Sequence, residues 1–178
     1  MKENYIIVGF DPASTRNIGW SLFNISKKPS ETAQINEWIG GTFVMPTMEE
    51  TWQVLWPMFL VIDSFLDEYR PNLVVVEKTS SFAGGFITGQ VSHCMGVLLA
   101  VCGKHDIAVE FVYPTSVKKL VSGHGRATKS EMKKATTKLL VNNGVADVKF
   151  NSDHTADAAA SVFFWLIKNG VILAKNGE

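Results

Sequence analysis

Two short apolar runs in this chain each end in a carboxylate. Ile6-Ile7-Val8-Gly9-Phe10 runs into Asp11, and Leu73-Val74-Val75-Val76 runs into Glu77. Apolar runs of this length, without alternation, read as strands buried on both faces, the kind that fills the middle of a parallel sheet. Such strands must be covered by helices, and their C-terminal ends open onto the crevice where α/β sheets place ligands. An ionised carboxylate beside a core is costly unless it is paired or metal-bound. A third acid, Asp157, closes the segment Asp153-His154-Thr155-Ala156-Asp157 just before a strongly apolar stretch. Acids so placed predict a metal site on an α/β sheet.

Turn and cap signals divide the rest. Strands are expected at Tyr5–Phe10, Ile18–Phe23, Glu37–Val44, Leu73–Glu77 and Ala108–Val112, with Gly40-Gly41 marking a bulge. A capping-box pattern, Thr47-Met48-Glu49-Glu50, opens a helix to about Tyr69, kinked near Pro57. Lys78–Phe86 reads as a loop. Further helices are expected over Gly89–Lys104 and Thr115–Val121, then from a second capping box at Thr128–Glu131 to about Asn142. The last runs from a cap at Asp153 or its neighbour to about Asn169. The order β-β-β-α-β-α-β-α-α-α predicts a mixed five-stranded sheet flanked by helices on both faces. Parallel pairing of the first and fourth strands would set Asp11 beside Glu77.

The 178 residues are enough for a substantial core, and with no linker, repeat or low-complexity tract a single domain over residues 1–178 is expected. A hydrophobic content of 46% against 19% charged residues excludes a disordered chain. The first apolar run is too short for a signal peptide, and those around Met95–Cys102 and Val162–Ile167 are too short to cross a bilayer. Cys94 and Cys102 show neither CxxC nor metal-ligand spacing. They read as reduced, buried thiols of a cytoplasmic protein.

Hard oxygen ligands at Asp11, Glu77 and Asp157 suit Mg²⁺, with Mn²⁺ able to substitute. His154 and Asp153 lie three and four residues before Asp157, on the same helix face, although Asp153 reads first as a helix cap. Three carboxylates and an imidazole have the capacity for two ions about 4 Å apart, the arrangement that hydrolyses phosphodiesters. His154 is alternatively a proton shuttle. Charge distribution supplies a matching partner. Lys118, Lys119, Arg126, Lys129, Lys133, Lys134 and Lys138 fall between Pro114 and Lys138 with Glu131 the one acid there, a net +6. The remaining 10 cations and 16 acids sum to −6, so a neutral chain carries a basic segment fit for a polyanion, or simply a solvated helix face.

In this order the segments resemble the RuvC-type Holliday junction resolvases of the RNase H-like superfamily. The resemblance rests on Val8-Gly9-Phe10-Asp11-Pro12-Ala13-Ser14 with Gly19-Trp20, on Val75-Val76-Glu77-Lys78 and on Gly89-Gln90. It continues in Pro114-Thr115-Ser116-Val117-Lys118-Lys119, in Gly123–Gly125 with Lys129-Ser130, and in His154-Thr155-Ala156-Asp157-Ala158. It spans roughly Val8 to Ile167. It implies an RNase H-like fold and a homodimeric, Mg²⁺-dependent endonuclease that nicks two strands of a four-way DNA junction. Asp11, Glu77, His154 and Asp157 would be the catalytic metal-binding set. Lys118 and Lys129 match family lysines near the cut phosphate, with Lys119, Arg126 and Lys133 extending the DNA surface. Phe82 or Phe86 would stack on an opened junction, or else pack in the core; base stacking is worth about 1–3 kcal/mol. The apolar helix over Val91–Cys102 would form the dimer interface or only cover the sheet. Ala13 stands where the family usually has glycine, the loop after Glu77 is short, and the net charge is zero. These departures suit a phage or divergent bacterial member, acting in the bacterial cytoplasm or an infected host cell.

Products with 5′-phosphate ends are expected. Neighbouring readings are a relaxed nuclease for forks, flaps and replication intermediates, and a nuclease for structured RNA. A junction-binding protein that does not cut is a third, which the intact acid set argues against, since bare carboxylates repel DNA. An actin-like phosphotransferase shares the Asp11 turn but needs a second domain.

Overall fold

The computed structural model describes residues 3–12, 14–27, 33–78 and 85–173, with the backbone alone for Glu3, Lys27 and residues 85–88. Five strands, β1 (Glu3–Pro12), β2 (Asn17–Lys27), β3 (Gln34–Val44), β4 (Leu73–Glu77) and β5 (Ala108–Val112), form one sheet in the order β3-β2-β1-β4-β5. β1, β2 and β3 form an antiparallel meander, while β1–β4 and β4–β5 pair in parallel. The expected mixed sheet is therefore present, with the two acid-tipped strands adjacent.

Helices α1 (Thr51–Tyr69) and α2 (Gly85–Lys104) cover one face. Helices α3 (Pro114–Ser122), α4 (Lys129–Asn142) and α5 (Asp153–Lys168) cover the other. Strand side chains alternate between faces. Val8, Phe10, Val74 and Val76 enter the core under α1 and α2, whereas Ile7, Leu73 and Val75 enter the core under α3–α5. Asp11 continues the parity of Ile7 and Gly9, and Glu77 that of Leu73 and Val75. Both acids thus reach the α5 face.

Local signals held in part. Thr128 caps α4 in a capping box with Glu131, and Pro114 occupies the first turn of α3. The box expected at Thr47 lies instead at Glu50 and Gln53, three residues on. The chain first runs on past β3, because Met45 is buried and its amide donates to the Arg16 carbonyl, 2.8 Å. Gly40-Gly41 is not a bulge: the two residues pair regularly with Ser21 and Trp20, and the irregularity falls between Asn24 and Ile25. These glycines clear space instead, since a Cβ at Gly41 would sit 2.6 Å from the Trp20 ring. α2 begins at Gly85, four residues before the expected start. Ser152 caps α5, its hydroxyl accepting from the Thr155 amide, which leaves Asp153 as the first helical residue. Cys94 and Cys102 are both free and buried, and burial pushes their thiols up to about 12 and about 11.

Candidate metal centre

Asp11 is the penultimate residue of β1, opposite Gly19 of β2, and Glu77 ends β4, whose Val76 pairs with Phe10. α5 crosses this edge with its first turn. Sheet and helix approach closely because the sheet offers glycines there: a Cβ at Gly19 would lie 2.3 Å from the His154 carbonyl carbon, and one at Gly9 2.3 Å from the Ala158 oxygen. The gap brings His154 Nδ1 within 2.9 Å of Asp11 Oδ2. Ligand atoms from Asp11, His154 and Asp157 all lie within 4.8 Å of one another.

Glu77 stands beside this trio. It shares a cleft of about 220 Å³ with Asp157, Lys118, Lys129 and the apolar wall of Val117, Met132 and Ala160. Burial, then the charges of Asp11 and Asp157, push the Glu77 carboxyl up to about 8, against the opposing pull of Lys118. Burial and Asp11 raise Asp157 to about 6, opposed by Lys129 and His154. The hydrogen bond to Asp11 raises His154, more than burial lowers it. Carboxylates crowded closely enough to resist ionising form a site short of positive charge. The donor set of three acids and an imidazole, with room beside it, fits divalent cations that take oxygen and nitrogen ligands.

The other expected site residues separate clearly. Asp153 stands outside the trio, exposed, its Oδ1 3.9 Å from Lys133 Nζ, so that Lys133 faces a carboxylate of its own chain. Lys118 and Lys129 line the cleft, while Lys119 and Arg126 are exposed on the surrounding surface. Phe82 lies outside the described residues, and Phe86 falls in the first turn of α2, where the backbone alone is described. Glu77 pairs with neither Lys78 nor a helix lysine. Lys78 turns instead to Tyr113, its Nζ 3.5 Å from the hydroxyl and 5.3 Å from the ring centroid. Tyr113 is an exposed aromatic directly before Pro114 that sequence reasoning passed over. Its place at a strand end, one residue before a helix proline, was the available signal. A larger hollow of about 380 Å³, between Gln34 and Asn142, is lined by amide and apolar groups and holds no titratable residue among the described residues.

Comparison with known proteins matches residues 7–163 to the family described as "Crossover junction endodeoxyribonuclease RuvC". The chain is similar to the protein of that name from Rickettsia bellii (strain OSU 85-389), 26% identical over 162 residues that cover 91% of this chain and 97% of the relative. It is 29% identical to the Corynebacterium diphtheriae protein over 153 residues, covering 86% and 88% of the two chains. Among solved structures, Thermus thermophilus RuvC in complex with Holliday junction substrate superposes with a TM-score of 0.73 at 21% identity, covering 94% of this chain and 97% of that one. The sheet order and helix placement are thus those of an RNase H-like fold.

Proposed function

The chain belongs to the RuvC family of crossover junction endodeoxyribonucleases, and from that premise we propose that it resolves four-way DNA junctions by metal-dependent paired nicking. One observation carries the reading. Two parallel neighbour strands and the start of α5 bring Asp11, His154 and Asp157 within 4.8 Å of one another, with Glu77 and two lysines beside them at the crevice of the sheet.

Asp11, Glu77, Asp157 and His154 would hold Mg²⁺, or Mn²⁺ in its place, and the number of carboxylates suits two ions. Such ions polarise the phosphate and lower the pKa of an attacking water. The chain's own groups do the rest. Lys118 and Lys129 neutralise the DNA backbone next to the acids. Asp11 takes up Nδ1 of His154, which fixes the ring and leaves Nε2 to bind or to pass a proton. Val117, Met132 and Ala160 wall the cleft and limit water. Water attack on the phosphorus leaves 5′-phosphate and 3′-hydroxyl ends.

Nicking two strands in one event requires two such sites, hence a homodimer. α2 offers a surface for it. Gly89, Gly96 and Gly103 recur at seven-residue spacing, and a Cβ at each would meet nothing within 4 Å. Glycine costs a helix interior about 0.8–1 kcal/mol relative to alanine, and no contact among the described residues requires it. Reduced, buried cysteines suit a cytoplasmic enzyme, and no helix among the described residues is long and apolar enough to cross a membrane.

The test is a panel of labelled four-way, forked, linear and RNA substrates, each with Mg²⁺ or with EDTA. Mg²⁺-dependent symmetric nicks in the four-way junction are expected. Equal cutting of forks and flaps would replace the resolvase with a relaxed branched-DNA nuclease. Binding to the junction without cutting would replace it with a non-cleaving partner of branched DNA.

A further inference from the structure

β2 and β3 contribute no acid to the metal centre, yet α5 is bonded to both. Between His154 and Asp157 lies Thr155, fully buried. Its hydroxyl donates to the Gly41 carbonyl at 2.8 Å and lies 2.6 Å from the Asn151 side-chain amide, 3.0 Å from the Ser152 hydroxyl and 3.2 Å from that of Thr42. Ser152 and Thr42 are themselves joined at 2.6 Å, and the Ser21 hydroxyl donates to the Thr155 carbonyl at 3.0 Å. The Thr155 methyl occupies the space left by Gly40, where a Cβ would lie 2.7 Å from it. Helix capping does not require this network. Ser152 already serves the Thr155 amide, whereas the bonds to Gly41, Thr42 and Ser21 leave the helix and reach the sheet.

We propose that Thr155 is the positioning residue of the metal centre, its side chain keyed into the Gly40-Gly41 step of β3 so that α5 holds His154 and Asp157 at their distances from Asp11. The proposal rests on the four groups being the metal site. The helix rotates or slides only if the hydroxyl contacts break, and either motion carries both α5 ligands away from β1 together. Hydroxyl and methyl have separable duties: the hydroxyl sets register along β3, and the methyl fills a hole.

Thr155→Val keeps shape and removes the hydroxyl; Thr155→Ser keeps the hydroxyl and removes the methyl. Calorimetric titration of metal-free protein with Mn²⁺ is expected to show about tenfold weaker binding for the valine variant, the low end of what loss of an outer-shell partner costs. The serine variant should lie within about twofold of wild type by the same reasoning. Junction binding in EDTA should be unchanged in both. A valine variant with a lowered melting temperature but wild-type Mn²⁺ affinity would reduce the network to a structural one and overturn the proposal. If the valine variant does not fold, Ser21→Ala removes the sheet-side donor to the same residue; weaker Mn²⁺ binding is expected, and unchanged binding overturns the proposal. The titration contains no DNA, so absent cleavage by wild type counts against the proposed reaction alone.

Discussion

On the α1–α2 face the sheet meets its helices through large side chains; on the other face Phe23 packs on Phe163 in the same way, 5.2 Å between ring centroids, but at the start of α5 the sheet meets the helix through backbone. Phe10 and Trp20 of the sheet join Phe65 of α1 and Phe43 of β3, with ring centroids 4.8–6.1 Å from Phe65 and varied tilts. Such a layer has many near-equivalent packings, so volume-conserving exchange there costs little. Across the sheet, Gly9, Gly19 and Gly40 lie under the first turns of α5, whose buried residues there include Ala156, Ala158, Ala159 and Ala160. Little side-chain freedom remains to absorb an error in register there. One face supplies stability by burial; the other also fixes distances, because Asp11, His154 and Asp157 meet across it.

The largest effect should come from the acids. Asp157→Asn is expected to lower junction cleavage on the order of 10³-fold or more, a loss of about 4 kcal/mol of transition-state stabilisation, while junction binding in EDTA persists or tightens. Residual cutting close to wild type in a quenched-gel assay would detach Asp157 from the chemistry. Next comes the close approach itself. Gly19→Ala places a methyl against the His154 backbone and should destabilise by about 1–3 kcal/mol and abolish cleavage. Met58→Leu, fully buried on the other face, should cost under about 1.5 kcal/mol and leave cleavage intact. Similar urea-melt and activity losses for the two would erase the distinction between the faces.

A smaller effect follows from pH. Glu77 and Asp157 have folded-state pKa values raised above their unfolded values, to about 8 and about 6, and His154 is also raised. A raised group stabilises the fold fully below its unfolded pKa and loses that contribution as pH climbs through the folded one. The metal-free protein should therefore lose melting temperature between about pH 4 and 8, and saturating Mg²⁺ should flatten the decline. Glu77→Gln should remove much of the upper part of the slope. A melting temperature that rises with pH over this window in EDTA would contradict the electrostatics. The smallest effect concerns Lys118 and Lys129. Alanine at either should weaken junction binding and reduce the slope of log K against log salt by about 1; an unchanged slope would return that lysine to a solvated surface.

What was legible in the sequence follows the same division. Apolar runs marked the strands, and the expected parallel pairing of the first and fourth set Asp11 beside Glu77, as the register shows; which face of the sheet the two acids reach was not legible, because runs without alternation carry no two-residue signal. The spacing of His154 and Asp157 placed both on one side of α5, and Thr128 with Glu131 marked the start of α4. The failures arise where tertiary contacts overrule local pattern. Thr47 loses its helix start because Met45 is tied to Arg16. Gly40-Gly41 serves Thr155 and Trp20 rather than a bulge. Asp153, read first as a helix cap and only second as a metal ligand, is neither in the metal trio nor the cap, since Ser152 holds the Thr155 amide and Lys133 faces the acid. The network around Thr155 left no local signature, because Ser21, Thr42 and Thr155 are separated by up to 134 residues and read singly as ordinary strand and helix residues.

A crystal soaked in Mn²⁺ and measured for anomalous scattering addresses the metal centre most directly. Anomalous peaks should appear in contact with Asp11, Glu77, His154 and Asp157, absent from Asp157→Asn crystals treated alike. A peak held by Asp153 instead, or none at the crevice at saturating Mn²⁺, would contradict the assignment of the site.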